Sequence, residues 1–226
     1  MTPRSGPTVA IVDYGMGNRR SVFKALERAG ATPKLTAHAR QLRAAHGLVV
    51  PGVGAFPEAM RRLGALGLVG LLRERAGEDI PVLGICLGMQ LLFERSQELG
   101  TTGGLGLLPG EVTWLNPGGL RVPHIGWNEV KFVAPSPLTE GLPQRGCAFY
   151  HAHSLAARPA NVKDVLGITE YGEQLATIVG RGRVFGVQFH PEKSSANGLA
   201  LLERFVAVCA ETAPESEALW GEMARP

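Results

Sequence analysis

Short, continuous apolar runs alternate with segments of helical spacing in the first half of the chain. Residues 8–14, TVAIVDY, are typical of a parallel strand buried on both faces, and residues 18–30 follow with Val22 and Leu26 at helical spacing. The run HGLVVPG repeats this pattern, as does PVLGICLGMQLLFERSQE, in which a strand-like part gives way to a helix-like one. Strand, helical crossover and strand is the recurring unit, which predicts an α/β fold with helices on both faces of a sheet.

The second half of the chain has short strands separated by Gly and Pro turns from about Leu105 onward. The predicted strands are EVTWL, NEVKFV, KDVLGIT, LATIV and RVFGVQF, and the last two, separated by residues 180–182, form a hairpin. We therefore expect antiparallel strands within a mixed, mostly parallel sheet. A final helix, SSANGLALLERFVAVCA, closes one domain over residues 8–210, and we expect the acidic tail 211–226 to be loosely attached.

Composition limits the partners and the location that the chain can have. Of its 226 residues, 45% are apolar, and its net charge of +3 is spread without long blocks of like charge, so a nucleic-acid partner is not expected. The longest uncharged apolar run, residues 63–72, is shorter than the roughly 20 residues that span a bilayer. Three cysteines at unrelated spacings argue against a disulfide framework. We expect a cytoplasmic protein without a membrane partner.

Cys86 lies in residues 84–88, GICLG, at the point where a predicted strand gives way to a helix. This is the pattern G-x-[SC]-x-G of a nucleophile elbow, in which a tight turn displays the nucleophile and glycines keep the turn free of side chains. The start of the following helix favours the thiolate form, and the Leu87 N–H would point at an oxyanion formed beside the sulfur. The alternative is a buried structural cysteine, the commoner fate of a lone Cys. The motif and its context favour a nucleophile.

His190 is the one of six histidines with a carboxylate in an obvious orienting position. It ends an apolar strand in VFGVQFHPEKSS, and Glu192 lies two residues further on. Because Pro191 biases the preceding residue toward extended geometry, both side chains can share a face. Glu192 could then hold one imidazole nitrogen while the other faces Cys86. The alternative is a solvated glutamate after a histidine at a strand end.

Two glycines after the strand GLVV offer a second place for an oxyanion donor. Residues 51–54, PGVG, would lie beside the elbow if the two strands are neighbours, and Gly52 and Gly54 permit unusual dihedral angles there. An ordinary turn between strand and helix explains this pattern equally well.

The other candidate sites are weaker, so no cofactor and no metal is expected. Residues 15–17, GMG, lack the third glycine of a dinucleotide fingerprint, and the sequence contains neither a P-loop nor an H-E-x-x-H pattern. His151 and His153 would lie on one side of a strand, but neither a nearby cysteine nor an acidic cluster completes a set of metal ligands. Cys147 and Cys209 have no elbow and are interpreted as packing residues.

Together, GICLGMQLL and GVQFHPEKS resemble the class I glutamine amidotransferases, whose fold is flavodoxin-like and whose active site is a Cys-His-Glu triad. Further motifs resemble one branch of that family, the glutaminase subunits of imidazole glycerol phosphate synthase in histidine biosynthesis. These motifs are DYGMGN (residues 13–18), PGVGAF (51–56), VPHIGWN (122–128) and HS (153–154). The resemblance runs from about residue 9 to residue 208.

The resemblance implies roles for residues at matching positions. It makes Cys86 the nucleophile, His190 the general base and acid, and Glu192 the residue that orients the imidazole. The oxyanion would be bound by backbone N–H groups of Gly52, Val53 and Leu87. The residues that would contact L-glutamine are Gly52, Gly54, Gln90, His153, Ser154 and Leu155. Relatives commonly carry tyrosine at the last of these positions, so only a backbone contact is expected to be retained there.

The resemblance also implies a heterodimer with a (β/α)₈ barrel cyclase. Ammonia from glutamine would pass to that subunit, which uses it to make imidazole glycerol phosphate and an aminoimidazole carboxamide ribotide. Family interface positions correspond to Asn18, His124, Trp127, Asn128 and Lys193. From the sequence alone, Trp127 could equally be a core aromatic. Nucleotide binding on the cyclase is expected to activate the site by turning the peptide before Val53.

Three other functions remain open from the residues alone. The same triad serves amidotransferases with a different acceptor, and it serves stand-alone hydrolases of the γ-glutamyl hydrolase kind. A catalytically silent scaffold or a redox-sensing cysteine protein would keep the elbow but would need neither His190 nor Glu192.

Overall fold

The computed structural model describes residues 6–212 and has thirteen strands and six α-helices in that part of the chain. The strands are β1 (Thr8–Val12), β2 (Thr32–Thr36), β3 (Gly47–Gly52), β4 (Val82–Cys86), β5 (Phe93–Ser96), β6 (Thr102–Gly103), β7 (Leu108–Trp114), β8 (His124–Phe132), β9 (Cys147–His153), β10 (Leu155–Pro159), β11 (Val165–Glu170), β12 (Gln174–Arg181) and β13 (Val184–Val187). The helices are α1 (Arg19–Arg28), α2 (Ala39–Arg43), α3 (Phe56–Ala65), α4 (Leu68–Gly77), α5 (Leu87–Leu91) and α6 (Ser195–Ala210). Two short 3₁₀ helices span Val162–Asp164 and Pro191–Lys193.

A nine-stranded mixed sheet forms the centre, in the order β2-β1-β3-β4-β13-β12-β11-β8-β9. The first five of these strands pair in parallel, and every later pairing is antiparallel. The expected α/β fold with a mixed sheet is confirmed, and its parallel part is the half built from the first half of the chain plus β13. A second sheet of four strands, β10-β7-β5-β6, was not predicted.

Two hydrophobic cores lie on opposite faces of the parallel half. In β1, Val9 and Ile11 point into one core and Ala10 and Val12 into the other, as expected for a strand buried on both faces. Helices α1 and α6 cover the first core, and helices α2 to α5 cover the second. Each fully buried Leu or Phe in these cores contributes roughly 1.5–3 kcal/mol of hydrophobic free energy. The end of β4, where Cys86 lies, therefore belongs to a part of the sheet that is covered on both faces.

The predicted hairpin near the end of the chain is confirmed, with a tighter loop than expected. Arg181 pairs with Val184, so the loop consists of Gly182 and Arg183 rather than residues 180–182. Gly182 has a φ of +57°, a left-handed conformation that glycine adopts without steric cost.

The helix-like run after Cys86 is shorter than the sequence suggests. Helix α5 ends at Leu91, and residues 93–96 form β5 of the second sheet. The reason is competition for backbone carbonyls, because N–H groups from the loop at residues 105–107 bond to the carbonyl oxygens of residues 91–93. A continuing helix would need those same oxygens as acceptors.

Residues 213–226, which make up nearly all of the predicted acidic tail, lie outside the described residues. At the tail's first positions, the Thr212 hydroxyl donates to the carbonyl oxygen of His46 at 2.8 Å and Glu211 pairs with Arg183. Within residues 6–212, none of the helices has both the length and the apolar character needed to cross a membrane.

Candidate active site

The pairing of β4 with β3 and β13 determines where the candidate nucleophile lies. Cys86 is the last residue of β4 and stands opposite Gly52, the last residue of β3. Helix α5 begins at the next residue, so the chain turns sharply at Cys86, whose φ is +55° and ψ is −112°. A non-glycine residue in this region is strained, and such strain persists only where the surrounding structure imposes it. The geometry is that of the predicted elbow.

Close backbone approach explains the glycines of the elbow. A Cβ on Gly88 would lie 1.7 Å from the carbonyl oxygen of Val50, and one on Gly84 would lie 2.5 Å from the carbonyl oxygen of Gly88. A side chain on Gly88 would push the turn away from β3, and one on Gly84 would push α5 away from β4. The two glycines therefore allow α5 to start directly against the neighbouring strand.

His190 and Glu192 lie together at the end of the adjacent strand β13. The Nδ1 atom of His190 is 3.0 Å from Oε1 of Glu192, and the two side chains are only 4% and 1% exposed. The backbone N–H of His190 donates to the Tyr150 carbonyl at 2.9 Å, and the Ser194 hydroxyl donates to the His190 carbonyl at 2.7 Å. These bonds hold the histidine main chain in place, while the imidazole itself contacts Cys86.

The His190 imidazole is held in its charged form. Burial alone would lower its pKa, but hydrogen bonds and charge interactions with Cys86 and Glu192 outweigh burial and raise the pKa from 6.5 to about 10. A protonated imidazole between a sulfur and a carboxylate can give up a proton to a leaving group and later take one from water.

A cavity of about 250 Å³ opens in front of Cys86. Its lining consists of Val53, Gly54, Cys86, Leu87, Gln90, Glu98, Pro123, Ile125, Ala152, His153, Ser154 and Leu155. All the predicted glutamine contacts except Gly52 are in this set, and Gly52 is the buried last residue of β3. The side-chain NH₂ of Gln90 donates to the Leu155 carbonyl oxygen at 3.2 Å, which sets the orientation of that amide.

Glu98 and Tyr14 are among the residues of this region that the sequence patterns did not single out. Within residues 6–212, Glu98 supplies the only carboxylate of the cavity lining, and it also accepts a hydrogen bond from the Phe56 N–H at 2.7 Å. Tyr14 donates its hydroxyl to the Pro51 carbonyl at 2.5 Å, directly under the glycine segment, and burial raises the pKa of its hydroxyl. Tyr14 belongs to the DYGMGN motif, but only the fold shows that it reaches β3.

Two buried histidines, His124 and His153, form a hydrogen-bonded chain beside the cavity, and a third, His151, stacks on the ring of His124. His153 donates from Nδ1 to the Leu155 carbonyl at 2.8 Å, so its Nε2 must accept from Nδ1 of His124 at 3.0 Å. Burial lowers the pKa of His124 to about 4 and that of His153 to about 4, and burial with neighbouring imidazoles lowers the pKa of His151 to about 3. All three rings are neutral. Among the described residues, no group of His, Cys, Asp or Glu is arranged to hold a metal ion.

The predicted interface residues fall into an exposed group and a buried one. Trp127 is 55% exposed, so it is not a core residue, and its ring meets Tyr150 edge-on. The Lys193 ammonium lies 5.8 Å from the centre of the Tyr150 ring, and Asn18 stands immediately before α1. His124 was expected at the interface, but it is only 2% exposed. Its ring is stacked between those of His151 and Tyr171.

Asn128 links this surface to the histidine chain. Its side-chain NH₂ donates to the Glu170 carbonyl at 2.9 Å and lies 3.4 Å from Nε2 of His124.

Ile125, which lines the cavity, is 61% exposed on the same strand as Trp127. The cavity thus opens next to an apolar surface formed by Ile125, Trp127 and Tyr150, which we call the β8–β9 surface.

Comparison with known proteins identifies a family. A family model described as Glutamine amidotransferase class-I matches residues 10–209. The Imidazole glycerol phosphate synthase subunit HisH of Moorella thermoacetica is 51% identical over 197 residues, which cover 87% of this chain and 93% of that protein. The subunit of the same name from Geobacillus kaustophilus is 45% identical over 206 residues, covering 88% and 96%.

Solved structures agree on the fold. The structure of PurLQS from Thermotoga maritima superposes with a TM-score of 0.72 at 19% sequence identity, covering 89% of this chain and 98% of that one. A crystal structure of a glutamine amidotransferase gives a TM-score of 0.70 at 22% identity, covering 89% and 98%. At these identities the likeness shows the architecture alone.

The charge on His190 gives a test of the site's electrostatics. We expect its imidazole to stay protonated from neutral to mildly alkaline pH, because its pKa is raised to about 10. The substitution Glu192→Gln removes the carboxylate that stabilises the imidazolium, so the pKa should fall by at least about one unit. NMR titration of the imidazole signals measures the pKa of His190 in the unsubstituted chain and in Glu192→Gln. Exposed His38 is an internal control, and a His190 that titrates identically in both proteins would contradict the assignment.

Proposed function

The chain belongs to the class I glutamine amidotransferases, and within them to the family of the imidazole glycerol phosphate synthase subunits HisH. On that premise we propose that it hydrolyses L-glutamine to glutamate and ammonia and delivers the ammonia to a cyclase subunit in histidine biosynthesis. The observation that carries the proposal is the strained Cys86 in contact with the His190–Glu192 pair at the wall of a cavity. We propose residues 8–210 as the catalytic domain. We also propose that the protein acts in the cytoplasm.

The proposed reaction begins with attack of the Cys86 thiolate on the carbonyl carbon of the glutamine side chain. A bond forms between sulfur and carbon, and the carbonyl oxygen becomes an oxyanion that the N–H groups of Leu87 and of the segment at Val53 stabilise. His190 gives its proton to the departing nitrogen, and ammonia leaves behind a thioester. Water then adds to the thioester while His190 accepts a proton, and glutamate and the thiolate are released.

Support for the oxyanion role comes from the placement of these N–H groups. Leu87 is the first residue of α5, where backbone N–H groups have no partner within the helix. Gly52 lies opposite Cys86, and Gly54 has a φ of +102°, so the segment between them has unusual conformational freedom. A peptide before Val53 that turns its N–H toward or away from the sulfur would switch the site on and off.

Support for glutamine as substrate comes from charge and hydrogen bonding in the cavity. The NH₂ of Gln90 is already committed to the Leu155 carbonyl, so its carbonyl oxygen is the part available to accept from the substrate. The carboxylate of Glu98 complements the α-ammonium group of an amino acid. Ser154 offers a hydroxyl, and His153 is placed by its own two hydrogen bonds.

Support for the cyclase partner comes from the β8–β9 surface. An exposed tryptophan packed against a half-buried tyrosine, as Trp127 is against Tyr150, is typical of the centre of a protein interface. In the proposed heterodimer, a (β/α)₈ barrel covers this surface and receives the ammonia. Asn18 and Lys193 would contact the barrel at the rim, and Asn128 would couple the rim to the buried histidine chain.

Replacing the nucleophile tests the proposed reaction. The substitution Cys86→Ala should reduce glutaminase activity of the nucleotide-bound complex by about 10³-fold or more, since no thioester can form. Synthesis driven by added ammonia should be unchanged, because the cyclase then needs no glutaminase. Cys147→Ala is the matched control, because this cysteine is half-buried in β9 and burial raises its pKa to about 11. Retained glutaminase activity in Cys86→Ala would contradict the nucleophile assignment.

Replacing an exposed tryptophan tests the proposed interface. Trp127→Ala should weaken binding to the barrel cyclase by about 30-fold or more, as truncation of a central aromatic anchor does. Trp114→Ala is the matched control, because Trp114 is 52% exposed but lies in β7 of the second sheet. Titration calorimetry measures both affinities. Equal affinity for Trp127→Ala and the unsubstituted chain would place the partner on another surface.

A further inference from the structure

We propose that Gln188 is a catalytic residue of this site, whose side-chain NH₂ donates a hydrogen bond to Cys86 Sγ and stabilises the thiolate. Its carbonyl oxygen at the same time holds the Gln90 amide in its substrate-accepting orientation. This inference deepens the proposed function and rests on it.

The strand register brings Gln188 to the nucleophile. It directly follows β13 and precedes His190 by two residues, so in an extended chain both side chains face the same way, toward the end of β4. Its backbone N–H donates to the Thr177 carbonyl at 2.9 Å, and its side chain is fully buried. The Nε2 atom lies 3.8 Å from Cys86 Sγ, a distance suited to an N–H···S hydrogen bond because sulfur is larger than oxygen.

A chain of hydrogen bonds determines which end of the Gln188 amide faces the sulfur. The carbonyl oxygen of Leu155 can only accept, so the Gln90 atom 3.2 Å from it must be the nitrogen. That same nitrogen lies 3.1 Å from the Gln188 amide, so the Gln188 atom facing it must be the oxygen. The other Gln188 atom, which faces Cys86, is therefore the nitrogen, a donor.

A donor at this position favours one protonation state of the cysteine. A neutral thiol can donate weakly toward the Ala152 carbonyl, which lies 3.9 Å from Sγ, whereas a thiolate accepts from every N–H around it. The Gln188 NH₂ gains its full bond only when the sulfur is negatively charged, and bonds to charged acceptors are about twice as strong as neutral ones. Gln188 and the imidazolium of His190 therefore act on the sulfur in the same direction.

The same amide also acts on substrate recognition. With both of its contacts made through nitrogen, Gln90 turns its carbonyl oxygen away from Gln188 and Leu155. Because the network is almost completely buried, a reversed Gln90 amide would set two oxygens against each other at Leu155 and cost free energy that water does not restore. Loss of Gln188 should therefore affect glutamine binding as well as the sulfur.

The test measures the reactivity of Cys86 toward iodoacetamide over a pH series, by mass spectrometry of the full chain. Gln188→Met keeps the length of the side chain without the donor, and we expect alkylation at neutral pH about ten-fold slower, with the profile displaced to higher pH. In the complex, this variant should also raise KM for glutamine and leave ammonia-driven synthesis unchanged. Gln174→Met, which replaces an exposed glutamine of β12, is the matched control.

Alkylation needs neither glutamine nor the cyclase, so its outcome is separate from that of the proposed function. An unchanged alkylation profile in Gln188→Met would overturn the inference even if the complex proves to be a glutaminase. A chain that lacks glutaminase activity but shows the displaced profile would instead contradict the function alone. If Gln188 only packs and has no role at the sulfur, Gln188→Met would lower the melting temperature but leave the pH profile of Cys86 alkylation unchanged, which would overturn the inference.

A measurement on the unsubstituted chain covers the case in which Gln188→Met does not fold. The side-chain amide resonances of Gln188 should shift when Cys86 is alkylated, because the bond to sulfur is broken, while those of Gln174 should not. Identical Gln188 resonances before and after alkylation would contradict the hydrogen bond.

Discussion

The whole site depends on the parallel pairing of β4 between β3 and β13. This register puts Cys86 opposite Gly52 on one side, and it brings the end of β13, with His190 just beyond it, to the other side. A shift of one residue in either strand would turn the side chains to the opposite face and separate the sulfur from the imidazole. The two buried cores resist such a shift, since alternate residues of each strand pack into opposite cores.

The four buried histidines near Cys86 differ in charge. His190 is kept protonated by Glu192 and the sulfur, whereas His124, His151 and His153 are kept neutral by burial next to one another. The charged His190 ring carries the proton that the leaving nitrogen needs. Of the three neutral rings, that of His153 lines the cavity, where a second positive charge would repel the His190 imidazolium.

Sequence patterns gave the buried parallel strands, the elbow and the His190–Glu192 pair, because each is a local pattern with a physical cause. The second sheet was missed because helix α5 ends only where a loop more than ten residues later takes its carbonyl groups. Tyr14, Glu98 and Gln188 were missed because their contacts join strands that only the tertiary fold brings together. Trp127 needed the structure too, since core and surface tryptophans look alike in a sequence.

In the proposed reaction, Cys86 forms a covalent bond to the γ-glutamyl group of glutamine. The most direct measurement is acid quenching of the complex during turnover, followed by mass spectrometry of the intact chain and its peptides. A γ-glutamyl adduct on the peptide that contains Cys86, with Cys147 and Cys209 unmodified, is the predicted result. Steady glutamine hydrolysis with no adduct, or with the adduct on another cysteine, would contradict the role of Cys86 as nucleophile.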